Sequence, residues 1–162
     1  MVSGMERMLK LLEQNARLSV EELAAMLGVT AEEVALQMDK YRRDGVIRGF
    51  NTLIDWDKTD DGRVQAVIEL RVRPKKDRGF DDVAAAVAAF EEVESLLLMS
   101  GGYDLQVVMR GKSFQDIALF VAKRLSPLDD VLGTATHFVL RTYKKDGQLF
   151  QDDEPEERET MF

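Results

Sequence analysis

A chain of 162 residues with 45% hydrophobic content can build one large domain or two small ones, each with its own core. It has no cysteine, which removes disulfides and thiolate metal sites, and no apolar run long enough to span a bilayer. A net charge of −8 argues against general attraction to nucleic acid or anionic membrane, while leaving room for a local basic face.

Met5, Met8, Leu9, Leu11 and Leu12 fall on helical spacing, interrupted at Asn15-Ala16-Arg17. Ser19-Val20-Glu21-Glu22 is a capping box, in which the serine accepts a free amide and the glutamate reaches back. Val20, Leu23, Ala24 and Leu27 make one stripe, and Gly28 stops the helix. A second box, Thr30-Ala31-Glu32-Glu33, launches a helix with Val34, Met38 and Tyr41 inward, ended by Gly45 before a short extended segment at Val46-Ile47. Three short helices with a glycine turn between the last two read as a helix-turn-helix. The third helix faces outward with Glu32, Glu33, Ala35, Leu36, Gln37, Asp39 and Lys40, and the first 50 residues carry seven basic against eight acidic side chains. That is thin material for gripping a polyanion.

Residues 55–63 read as a polar linker. Asp57, Thr59, Asp61 and Gly62 alternate as in a calcium loop, but Ile68 stands where the bidentate glutamate belongs, so calcium is rejected. Val64, Ala66, Ile68, Leu70 and Val72 alternate with Gln65, Val67, Glu69, Arg71 and Arg73, the period of a strand, and Pro74 ends it. Residues 80–93 read as a helix with Val83, Val87 and Phe90 on one face. Next comes a hairpin, Leu98-Met99-Ser100-Gly101-Gly102-Tyr103-Asp104-Leu105, whose paired glycines permit positive φ and close approach of another group. Its bare amides beside one carboxylate suit a small zwitterion, although on these residues alone a well-made hairpin is the favoured reading. Ser113 caps a further helix with Ile117, Phe120, Val121 and Leu125 inward, and residues 131–143 supply a last strand.

The order β-α-β-β-α-β predicts a ferredoxin-like sheet with both helices on one face, an α+β module over 64–145 behind a helical unit over 1–54. The far sheet face, with Val67, Val108 and Val139, suggests pairing with a second copy. Residues 146–162 read as an acidic, disordered tail, since 151–162 hold six acids against Arg158 alone. The N-terminus has no signal-peptide pattern, which points to the cytoplasm.

The chain resembles the Lrp/AsnC (feast/famine) regulators. The matching residues are Asn15-Ala16-Arg17-Leu18-Ser19, Glu22-Leu23-Ala24, Leu27-Gly28-Val29-Thr30, Asp44-Gly45-Val46-Ile47-Arg48-Gly49-Phe50, Gly101-Gly102-Tyr103-Asp104, and Thr134-Ala135-Thr136 before Phe138-Val139-Leu140. The resemblance implies a winged helix-turn-helix ahead of a ferredoxin-like (RAM) sensing domain. It implies a DNA-binding transcription factor answering to an amino acid or related metabolite, forming dimers and often octamers. The effector would then contact Ser100, Gly101, Gly102, Tyr103, Asp104, Thr134 and Thr136, with Asp104 accepting from the ammonium group. DNA would be met by Thr30, Gln37 and Lys40 at bases and by Arg42, Arg43 and Arg48 at phosphates. Family members carry paired arginines where this chain has Leu36 and Gln37, and that departure raises a second reading, a metabolite-sensing oligomer without DNA binding. A third, a tetrapyrrole decarboxylase-like protein, has only His137 in its favour, with no phosphate loop, metal cluster or nucleophile–base spacing. The expectation is a regulator with no enzymatic activity, no cofactor and no resident metal.

Overall fold

Two capping boxes organise the first of the two compact units into which the chain divides between Ile54 and Asp55. The computed structural model describes residues 4–76 and 78–150, and places three helices in this unit: α1 (Gly4–Gln14), α2 (Val20–Leu27) and α3 (Ala31–Arg43). Ser19 Oγ accepts the Glu22 amide at 3.1 Å, while Glu22 Oε2 accepts the Ser19 amide at 2.7 Å. Thr30 and Glu33 repeat the arrangement at 3.2 and 2.8 Å. Both boxes satisfy amides that the first helical turn leaves without partners. Gly28, at φ +71°, closes α2 in the left-handed conformation and returns its amide to the Ala24 carbonyl. The helices bury Met8, Leu12, Leu23, Ala24, Val34 and Tyr41 together. Beyond α3 the amides of Val46 and Ile47 both bond the Tyr41 carbonyl, and residues 47–55 join no strand ladder.

The second unit begins with a single 3-10 turn, Trp56–Lys58, capped by the Asp55 carboxylate on the Asp57 amide. There follow β1 (Val64–Val72), α4 (Asp81–Ala88), β2 (Val93–Leu98), β3 (Leu105–Gly111), α5 (Phe114–Phe120) and β4 (Val131–Phe138). The sheet order is β2-β3-β1-β4, with every neighbouring pair antiparallel. Alternation along β1 and β3 sends Ala66, Ile68, Leu70, Val72, Leu105, Val107 and Met109 towards the helices, where they meet Val83, Val87, Ile117, Phe120 and Leu125. This is the ferredoxin-like α+β arrangement. Gly111 is required where β3 passes α5, because a Cβ there would lie 2.7 Å from Ile117 Cγ1.

Three stretches differ from the sequence reading. The helix expected over 80–93 covers only Asp81–Ala88, and Phe90 packs from the following turn edge-on against Phe120 at 5.4 Å. The last strand ends at Phe138 rather than at 143. Where the tail was expected to begin, β5 (Lys144–Lys145) and β6 (Gln148–Leu149) pair across Asp146 and Gly147, which take φ of +46° and +82°. An Asp-Gly pair with positive φ at both positions is the preferred two-residue hairpin turn. The acidic segment 151–162 lies outside the described residues.

On the sheet face away from the helices Val67 and Val108 are cross-strand partners, both half-buried, with half-buried Val139 just past the end of β4. Leu97 and Leu132 stand largely exposed, at 50% and 58%. No helix among the described residues is long and apolar enough to cross a membrane.

Candidate functional site

The β2–β3 turn is fastened at both ends. The Met99 amide bonds the Asp104 carbonyl at 2.8 Å, and the Asp104 amide bonds the Leu70 carbonyl of β1 at 2.9 Å. Gly101, at φ +145°, occupies backbone space that a side chain would strain. Asp104 is half-buried, and its Oδ2 accepts the Val72 amide at 2.7 Å, across 32 residues of chain. That bond falls where the β1–β4 register shifts between Arg71 and Val72. The extra residue of that bulge is Leu132 on β4, whereas the Val72 amide points, like the Leu70 carbonyl, towards β3, whose ladder with β1 stops at Leu105. The Asp104 carboxylate supplies the partner that the ladder no longer offers.

A cleft of about 240 Å³ opens beside this turn, with walls drawn from β1, the turn and β4. The turn contributes Gly102 and Tyr103, β4 contributes Gly133, Thr134 and Ala135, and β1 contributes Glu69 and Arg71. Of the expected ligand contacts, Gly102, Tyr103 and Thr134 therefore meet in one place. Ser100, Gly101, Asp104 and Thr136 do not line the cleft. Thr134 and Thr136 lie opposite Leu70 and Ile68, whose buried side chains mark the helix-facing side of the sheet, so Thr134 borders the cleft from a position whose side-chain direction is that of Thr136. Asp104 has one oxygen committed to the β1 backbone, so it straps the β2–β3 turn to β1.

The polar lining is ordered by neighbours. Tyr103 Oη donates to Gln106 Oε1 at 2.8 Å, and Gln106 is the cross-strand partner of Glu69. His137 Nε2 lies 3.3 Å from Glu69 Oε1, which gives the only histidine a structural neighbour on an exposed sheet face. Sequence reasoning missed Glu69 and Arg71 as cleft residues; their signal was their place on the polar face of a regular strand.

In the helical unit the expected DNA contacts separate into two groups. The Thr30 hydroxyl is occupied within its own capping box, accepting the Glu33 amide and donating to Glu33 Oε2 at 3.0 Å. Gln37 is half-buried on the flank of α3 nearest Val34, and its Nε2 is buried. It stands beside Tyr41, whose phenol burial pushes up while the Gln37 side chain acts in the opposite sense. Lys40, Arg42, Arg43 and Arg48 remain exposed, clustered at the C-terminal end of α3 and just beyond it. Arg48 lays its guanidinium over Gly45, where a Cβ would meet it at 3.1 Å. At the other end of the helix the backbone amide and hydroxyl of Thr30 hold the Glu33 carboxyl below the usual carboxylate range. Between the two ends the open face presents Glu32, Asp39 and Leu36, the last 63% exposed.

Two family profiles match this chain, one over the helical unit and one over the ferredoxin-like sheet. The Lrp/AsnC ligand binding domain matches residues 65–149, and the AsnC-type helix-turn-helix domain matches residues 6–42. The chain belongs to the Lrp/AsnC family of transcriptional regulators. Among its relatives, the HTH-type transcriptional regulator YugG of Bacillus subtilis is 44% identical over 151 residues, covering 93% of this chain and 91% of that protein. Among solved structures, Escherichia coli AsnC superposes with a TM-score of 0.68 at 21% identity, over 90% of this chain and 96% of that one. The Neisseria meningitidis transcriptional regulator NMB0573, solved as a complex with L-Met, gives 0.71 at 23% identity, over 90% and 93%. This member of the family is thus a transcriptional regulator with a ligand-binding domain. A sensor without a DNA-binding role is not favoured, since the helix-turn-helix profile runs through most of α3. The relatives are regulators, and the described residues hold no cluster of metal-binding side chains.

Proposed function

We propose that this regulator binds duplex DNA through the helical unit and changes its binding when an α-amino acid occupies the cleft beside the β2–β3 turn. The observation that carries this reading is the meeting of Gly102 and Tyr103 with Thr134 around one polar hollow of amino-acid size. The L-Met complex of the Neisseria relative supports the class of effector. On the DNA side, Lys40, Arg42, Arg43 and Arg48 supply the phosphate contacts, and Thr30 and Gln37 add little because their polar atoms are occupied or turned inward. With few cations engaged, binding falls less steeply with salt than for a helix rich in arginine. Association through the far sheet face, around Val67 and Val108, joins two chains, and the protein works in the cytoplasm.

The test is fluorescence anisotropy of the full chain on a labelled duplex from its own upstream region at low salt. Titrations run with and without each of the twenty L-amino acids. Binding that at least one amino acid shifts supports the proposal. Equal, salt-insensitive affinity for this duplex and a scrambled one, unchanged by every amino acid, would overturn it.

A further inference from the structure

Glu69 and Arg71 occupy alternate positions on β1, so both emerge on the sheet face away from the core, about 7 Å apart along the strand. They line the same cleft and carry opposite charges. Among the described residues no carboxylate pairs with Arg71, while Lys75 pairs with Asp130, His137 with Glu69, and Asp104 is held by the Val72 amide. Opposite Arg71 on β4 stands Gly133, where an added Cβ would lie 3.2 Å from the Arg71 Nη2 atom. The missing side chain is what lets the guanidinium lie across the strand at the cleft wall. Glu69 is steadied by His137 through Oε1, which leaves Oε2 for another donor.

We propose that Arg71 and Glu69 are the two charge poles of the effector site, the guanidinium receiving the α-carboxylate and the Glu69 carboxylate receiving the α-ammonium. This rests on the amino-acid-sensing reading above and assigns its specificity to β1 rather than to the hairpin acid. The chemistry fits the spacing. A zwitterion with one hydrogen bond at each end spans a gap of this size, and a planar guanidinium offers a carboxylate two parallel donors. Asp104 takes a different part: by accepting the Val72 amide it ties the β2–β3 turn to β1 one residue past Arg71. Gly133 is the second positioning element, acting through the space it leaves.

The experiment is calorimetric titration and thermal shift of the full chain. The twenty L-α-amino acids are screened first, then the one that binds best is compared with its decarboxylated amine and its deaminated acid. The wild type binds the intact amino acid at least about tenfold more tightly than either analogue. Arg71→Met removes the preference over the amine, and Glu69→Gln removes the preference over the deaminated acid, each lowering amino-acid affinity about ten- to a hundredfold. Arg71→Lys keeps the charge without the fork and loses less. Gly133→Ala keeps both charged residues but crowds the Arg71 guanidinium, so a smaller fall in affinity is expected there, read independently of whether Arg71→Met folds. Wild-type affinity in Arg71→Met and Glu69→Gln would overturn the charge poles while leaving the sensor reading intact. Failure of all twenty amino acids to bind the wild type would overturn both.

Discussion

The helical unit and the sheet unit solve the same problem, unpaired backbone amides, over very different distances. In the first, Ser19 serves Glu22 and Thr30 serves Glu33, each bond reaching three residues along the chain. In the second, Asp104 serves Val72 from 32 residues away, and the site beside it exists only because β1, β3 and β4 lie in register. The contrast shows where this protein keeps its adaptable chemistry. The helices are held by local, sequence-encoded caps, whereas the cleft beside the β2–β3 turn hangs on long-range pairing and one half-buried carboxylate.

The sharpest way to break that contrast is in the sheet core. Leu70→Ala, at a fully buried position of β1, should cost about 2–5 kcal/mol. Chemical unfolding followed by Trp56, the only tryptophan and a member of the second unit, would read it as a lowered midpoint. Asp104→Ala comes next, at about 1–3 kcal/mol on the same transition, since it leaves the Val72 amide without its charged acceptor. Asp104→Asn, which keeps an acceptor, should recover part of that loss. If Asp104→Ala left stability untouched while abolishing ligand response, the strap described here would be wrong.

Ser19→Ala and Thr30→Ala should each cost about 1 kcal/mol, read in the thermal melt of helical circular dichroism. Acid supplies the smallest effect and its sign is definite. Hydrogen bonds from the Ser19 and Thr30 amides hold the Glu22 and Glu33 carboxyls below their ordinary range. Their contribution is therefore complete above the ordinary carboxylate pKa and is lost as pH falls through the lowered one. Glu22→Gln with Glu33→Gln should flatten that slope, because glutamine accepts the same bonds without titrating. The sheet unit offers a counterpart at high pH. Lys75 is held above its usual value by Asp130, at 3.1 Å, and by Asp82, so its contribution is present below the ordinary lysine pKa and lost as pH rises through the raised one.

Much of the fold was legible because its signals are local. The two capping boxes, the stripe of Val83 and Val87, and the alternation from Val64 to Val72 each depend on neighbours within one turn or one pleat. Boundaries were harder. Residues 80–93 carried a helical pattern throughout, yet β2 claimed their end for the sheet, and the Asp146-Gly147 turn was hidden in a stretch read by its composition. Thr30 and Gln37 were of the right residue type for DNA but are taken up by a cap and by a half-buried flank.

By itself the sequence determined the helices, their caps, the strand periods and the order that makes a ferredoxin-like sheet, since each follows from interactions spanning only a few residues. Tertiary structure alone decided which polar groups share the cleft. Strand register set Arg71 across from Gly133 and Glu69 next to Gln106, and it left the Val72 amide beyond the end of β3, where the Asp104 carboxylate takes it. The local alternation put Glu69 and Arg71 on the polar face of β1, but only the pairing of β1 with β4 could bring them to one cleft with Gly133 and the turn.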